Sequence, residues 1–263
     1  MKLNALSIFT DIRDFLFADE NQSVVKVVFA SLLIGLLIFL IVYAARKEKK
    51  LNKNEKIKRL VFVAIFSALS FVLYQVKFNL PMIFPGFLEI QFSNVPVLIG
   101  GFMFGPISGV AIVIVRTILK LPFSHTAGVG EFADLLIGLS VLLVTSLFYH
   151  KNKTKKNAAL ALLYGSITWV VVSILSNWLI IIPFYIIAMF EGNAEPLINM
   201  MSVIPGINES NYMARYLLYA VLPFNLILST LVSLVTFLIY KRISVYIHSL
   251  SFSSDEELEA ENN

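Results

Sequence analysis

Two asparagines stand inside long apolar runs: Asn177 in LLYGSITWVVVSILSNWLIIIPFY and Asn225 in YAVLPFNLILS. An amide in hydrocarbon is costly and turns toward a bundle interior or a cavity. It donates and accepts hydrogen bonds at once, which suits recognition of a planar heterocycle with alternating donors and acceptors. Asparagine also serves as hydrogen-bonding glue between membrane helices, and the residues by themselves leave both readings open. Trp178, Phe184, Tyr185 and Phe224 lie close by in the chain and offer faces for stacking, although aromatic residues also belt every membrane interface.

A second set of polar residues lies earlier in the chain. HTAGVGEFADLLIG places Glu131 and Asp134 three residues apart at the start of an apolar helix. Carboxylates there complement the helix dipole; alternatively Glu131 and the glycine-rich GVG before it line a ligand pocket. Arg116 and Lys120 are one turn apart; long cationic side chains near a helix end are expected to snorkel outward, the alternative being that they lie near the same pocket. No cysteine is present, the three histidines are scattered, and neither G-x-x-x-x-G-K-[ST], H-E-x-x-H nor G-x-S-x-G occurs. The sequence therefore reads as neither an enzyme nor an autonomous ATP-driven pump, and no metal site or bound cofactor is expected.

These residues are carried by a polytopic membrane protein. Of its 263 residues 58% are hydrophobic and 14% charged, with a mean hydropathy of +0.81, whereas soluble domains carry about 25% charged residues. Runs near the ~20 residues needed to span a bilayer occur at 24–45, 60–78, 131–149, 158–188 and 214–240, with a broken run at 94–121. The first is too long for a signal peptide and follows Asp11, Asp14, Asp19 and Glu20, so it is read as a retained helix. Before it, Leu3, Leu6, Phe9, Ile12 and Leu16 have the spacing of a short interfacial helix.

Charge placement decides the topology. Linker 46–59 carries eight basic residues against Glu48 and Glu55, and HKNKTKK and Lys241–Arg242 are basic too. The positive-inside rule puts all three in the cytoplasm. That is possible only if the broken run crosses twice or re-enters, turning at Phe104-Gly105-Pro106, where glycine permits a tight turn and proline has no N–H to satisfy. Each arm of about 12 residues rises only ~18 Å. Such short arms are tolerated where they are buried in protein or line a cavity. The N-terminus is then outside, and the C-terminus, with its acidic and disordered tail 249–263, is cytoplasmic.

Taken in order, a small-x-x-x-small helix holding Ala64 and Ala68, then FLEIQFSNVPVLIGGFMFGPISG, GVGEFADLLIG, SNWLIIIPFY and PFNLILSTLVSLVTFLIYKR form a recognisable set. It resembles the substrate-binding S components of energy-coupling factor (ECF) vitamin transporters, of the riboflavin-specific type. The resemblance implies an all-α six-helix core over 56–248 with short second and third helices. Residues 1–55 are additional to it and include an extra N-terminal transmembrane helix. It also implies capture of riboflavin or a related flavin outside the cell membrane, with energy from a T subunit and two ATP-binding cassette ATPases. By the same resemblance Asn177 and Asn225 hydrogen-bond the flavin, the loop around Leu88 closes over it, Glu131 lines the pocket, and Ala64 and Ala68 pack on the T subunit. Three positions depart from the pattern. Gln91 and Asn94 stand in QFSNVP where DFSDIP is usual, and Leu228 replaces a ligand-facing lysine. These changes leave another small heterocycle open as the ligand. A scaffold role in a membrane complex, with the asparagines as glue, is the alternative of another class.

Overall fold

The computed structural model describes residues 22–48 and 51–261, with side chains over 24–48 and 51–243. The expected interfacial segment at 3–16 lies outside the described residues. Helix α1 spans Gln22–Lys47, α2 Lys53–Gln75, α3 Asn94–Phe104, α4 Pro106–Lys120 and α5 Val129–Tyr149. The long helix α6 runs Lys155–Met189, α7 is the short segment Glu195–Met200, and the apolar part of α8 is Tyr212–Ile243. Among the described residues six helices are long and apolar enough to cross a membrane, and α3 is a shorter apolar helix. Six helices, α2 to α6 and α8, form the core, and α1 is additional to it.

The hairpin expected between 94 and 121 is present. Helix α3 ends and α4 begins at Gly105, whose φ of 90° is a conformation that disfavours side chains, and Pro106 occupies the first position of α4, where no N–H is needed. The pair packs tightly on α5: a Cβ at Gly109 would fall 2.4 Å from Leu142 Cδ1. The turn lies at the same end as the basic linkers. His150 Nε2 is 3.0 Å from the Gly101 carbonyl, Arg59 hydrogen-bonds Ser108, and Tyr149 and Tyr240 join their hydroxyls at 3.0 Å. The described residues of linker 46–59, linker 150–156 and Lys241–Arg242 therefore share one end of the bundle, as the charge argument requires.

The opposite end carries the longer connections. The first contains a β-hairpin that periodicity does not reveal, because its strands, β1 (Lys77–Asn79) and β2 (Glu89–Gln91), have three residues each. They pair antiparallel with Phe78 opposite Ile90, and Lys77 Nζ sits 2.7 Å from a Glu89 carboxylate oxygen. The backbone of the closing helix runs Leu222–Glu261. The acidic tail is thus helical to Glu261 rather than disordered, in keeping with the strong helix formers Glu, Leu and Ala in EELEAE.

Helix α1 lies against α4, α5 and the Asn177 turn of α6. Leu37 and Ala44 are buried in that contact, Phe29 meets Trp178 at 6.2 Å between ring centroids, and much of the remaining apolar surface of α1 is exposed.

Candidate functional site

Both asparagines sit where a proline disturbs its helix. Pro183 and Pro223 cannot donate to the preceding turn. In each case the turn before the proline widens to a π-helical step, at Asn177–Ile181 in α6 and Leu217–Val221 in α8. Single π turns are common at functional sites. Here one opens at Asn177 itself and the other closes one turn before Asn225.

Asn177 and Asn225 are buried and joined through one residue, Ser173. Asn177 Nδ2 donates to the Ser173 carbonyl at 2.9 Å, and the Ser173 hydroxyl donates to Asn225 Oδ1 at 3.0 Å. Trp169 Nε1 donates to the same Asn225 oxygen at 3.0 Å, and Asn225 Nδ2 donates to the Val221 carbonyl at 2.8 Å. Tyr216 completes the chain by donating its hydroxyl to Asn177 Oδ1 at 2.7 Å. A side-chain amide has two N–H groups and two acceptor lone pairs. After these bonds Asn225 retains one N–H, and Asn177 retains one N–H and one lone pair.

The β1–β2 connection lies over this network. Phe84 is buried edge-on against Phe224 at 5.3 Å between centroids, and Phe87 meets Tyr216 at 5.9 Å. Leu88 follows, partly buried on the core, with its N–H bonded to the Pro85 carbonyl at 2.9 Å. Leu228 is buried one turn after Asn225. Glu131 is buried too, but its hydrogen bonds go to the hydroxyls of Ser124 and Thr126, at 2.7 and 3.0 Å, which fold the 124–128 loop onto the start of α5. Ala64 and Ala68 are exposed on α2, beside the exposed apolar residues Leu60, Ile65 and Leu69.

Arg116 and Lys120 do not snorkel. Arg116 is fully buried: Nη1 donates to Ser93 Oγ at 2.7 Å and Asn94 Oδ1 at 3.0 Å, and the guanidinium carbon lies 5.3 Å from the Tyr74 ring centre. Space for it comes from Gly138, where a Cβ would fall 3.0 Å from Nη2. Lys120 turns in to Gln75 Oε1 at 2.6 Å. Asp134 accepts from Tyr74 and, at 3.1 Å, from Gln91 Nε2. The polar base of the hairpin is therefore clamped to α2, α4 and α5. Nε and Nη2 of Arg116 and Nδ2 of Asn94 have no hydrogen-bond partner.

The partners Trp169, Ser173 and Tyr216 are absent from the sequence reading. The available signal was the spacing of four that puts Trp169, Ser173 and Asn177 on one face of α6. Trp178, named there as a stacking candidate, faces Phe29 of α1 instead.

Comparison with known proteins agrees with this architecture. The family model for the ECF transporter, substrate-specific component, matches residues 58–240. The riboflavin transporter RibU of Staphylococcus aureus (strain TCH60) is 30% identical over 200 residues, covering 76% of this chain and 97% of the relative. The riboflavin transporter FmnP of Bacillus subtilis (strain 168) is 28% identical, covering 73% and 95%. A solved S component of a bacterial ECF transporter is similar at a TM-score of 0.54 and 31% identity, covering 73% of this chain and 98% of its own. The matched region holds the hairpin, the α6–α8 amide network and the exposed alanine face, and it leaves α1 outside. The chain belongs to the ECF transporter substrate-specific component family.

Proposed function

We propose that this protein captures riboflavin or a closely related flavin at the loop end of the bundle and delivers it across the cell membrane. The observation that carries the reading is the unspent hydrogen-bonding capacity of the two asparagines. Two N–H donors flanking one acceptor complement the edge of an isoalloxazine ring, on which an N–H lies between two carbonyls. Trp169, Tyr216, Phe224 and the lid residues Phe84 and Phe87 supply the apolar enclosure such a ring needs. Relatives named as riboflavin transporters match over nearly their whole length.

In this reading Asn177 and Asn225 grip the ring and Leu88 belongs to the lid. Glu131 acts at one remove by holding the loop beside α5. Leu228 leaves the wall apolar where a cation is expected. The three basic linkers face the cytoplasm by the positive-inside rule, so the loop end faces outward and the N-terminus of α1 lies outside. The chain has no P-loop, and energy comes from partners: a transmembrane T subunit and two ATP-binding cassette ATPases. The exposed Ala64–Ala68 face of α2 lets a partner helix approach closely. The reading is tested by purifying the protein from riboflavin-fed cells and identifying the bound small molecule by mass spectrometry. A stoichiometric flavin supports it, and a different bound heterocycle would replace it.

A further inference from the structure

The match to known S components begins at residue 58, and the structure shows what the chain before it builds. Helix α1 stands beside α2 over the first turns of α4, and a cleft of about 620 Å³ opens between them at the basic end of the bundle. Its walls are apolar, formed by Ala45, Leu60, Val63, Ile107 and Ala111, and its lip is polar, formed by Glu48, Lys56, Arg59 and Ser108. The cleft is an open groove rather than an enclosed cavity.

With Lys56 and Arg59 against Glu48, the lip carries a net positive charge. Glu48 and Glu55 are the only carboxylates in 46–59, and both are occupied within the protein. Glu48 pairs with Arg59, which also bonds Ser108 and so holds the lip in shape. Glu55 closes a capping box with Asn52, its carboxylate 2.8 Å from the Asn52 N–H. Lys56 is exposed at the cleft and belongs to a linker whose other cations, besides Arg59, are Arg46, Lys47, Lys49, Lys50, Lys53 and Lys58. An apolar slot that ends in a cationic lip at a membrane boundary matches a molecule with an acyl chain and an anionic head. Basic pockets between membrane helices bind anionic lipid headgroups for this reason.

We infer that the cleft between α1, α2 and α4 is a binding site for one anionic phospholipid, with an acyl chain against Leu60, Val63, Ile107 and Ala111 and the headgroup phosphate at Lys56, beside the Glu48–Arg59 pair that shapes the lip. The extra helix thereby gives the chain a lipid-filled seam between α1 and the six-helix core. This site lies at the opposite end from the Asn177–Asn225 network and does not depend on what that network binds.

The test uses the full chain in detergent, titrated separately with phosphatidylglycerol and phosphatidylcholine, with retained lipid counted by native mass spectrometry. The site predicts one retained phosphatidylglycerol, preferred about fivefold over phosphatidylcholine, as expected when a headgroup of net negative charge, rather than one whose phosphate is offset by choline, meets one cation. Lys56→Glu, at an exposed position that does not threaten folding, abolishes the preference, and Ala111→Phe, which fills the slot, lowers retention of both lipids. Equal retention of the two lipids, or a preference unchanged in Lys56→Glu, overturns the proposal. So does loss of copurifying transporter subunits in Lys56→Glu without any lipid preference in the parent, which would assign the cleft to a partner helix.

Discussion

The Tyr216 hydroxyl donates to Asn177 Oδ1 at 2.7 Å, fastening the start of α8 to the π turn of α6. The bond fixes which way the Asn177 amide points and leaves one lone pair and one N–H for a ligand. Tyr216→Phe keeps the ring against Phe87 and removes only the donor. Flavin affinity is expected to fall about three- to tenfold, the scale of one net hydrogen bond, in a protein that stays folded with a Tm lowered by no more than about 2–4 °C. An unaltered Kd by fluorescence quenching would remove Tyr216 from the positioning of the site.

Asn225 has a heavier role, because its oxygen receives Trp169 and Ser173 while its spare N–H faces the proposed ligand. Asn225→Ala loses the ligand bond and strands two buried donors, so binding should weaken about 10- to 100-fold in a protein that stays folded. Equal affinity in the variant and the parent would leave Asn225 as interhelical glue.

The donor–acceptor–donor count also makes a prediction about the ligand. A riboflavin analogue methylated at the ring N–H between the two carbonyls cannot donate to Asn177, and it presents a methyl group to a buried lone pair. Competition binding should show it at least about tenfold weaker than riboflavin. Binding as tight as that of riboflavin would mean that the two amides read a different edge.

Asn94 stands where a carboxylate is usual, beside a buried guanidinium with unpartnered nitrogens. Asn94→Asp gives Arg116 an ion pair in place of a bond to a neutral amide. Breaking or lacking such a pair is expensive in a buried site, so the apparent Tm in detergent should rise by about 2–4 °C, the shift per ~1 kcal/mol in a chain of this size. A fall in Tm would show that the amide is the better partner.

The alanine face separates binding from transport. Ala64→Leu and Ala68→Leu add bulk on an exposed surface of α2 and should leave flavin affinity intact while reducing uptake in cells that contain the energising subunits. Normal uptake and normal copurification of those subunits in both variants would count against this face as the docking surface.

Much of this was legible before the structure. Placing basic linkers 46–59 and 150–156 at one end forced the chain to fold back at Gly105, because only an even number of crossings fits between them. An amide in hydrocarbon likewise pointed to Asn177 and Asn225 as polar residues turned into the bundle, where both are buried. Their partners were hidden because Trp169, Ser173 and Tyr216 owe their roles to the register of α6 against α8, and two π turns shift that register in ways no fixed period describes. Arg116 misled for a similar reason. Its inward turn depends on the space left by Gly138 and on Ser93 and Asn94 at the start of α3, all distant in sequence. The β-hairpin escaped because strands of three residues carry no periodicity.

On the proposed function, the Asn177–Ser173–Asn225 network under the Phe84–Phe87 lid binds a flavin. Titrating ligand-free protein against riboflavin and following flavin fluorescence tests it most directly. Saturable quenching with one riboflavin per chain, weakened by Asn225→Ala, is the expected result. Fluorescence that stays unquenched by folded, ligand-free protein would contradict it.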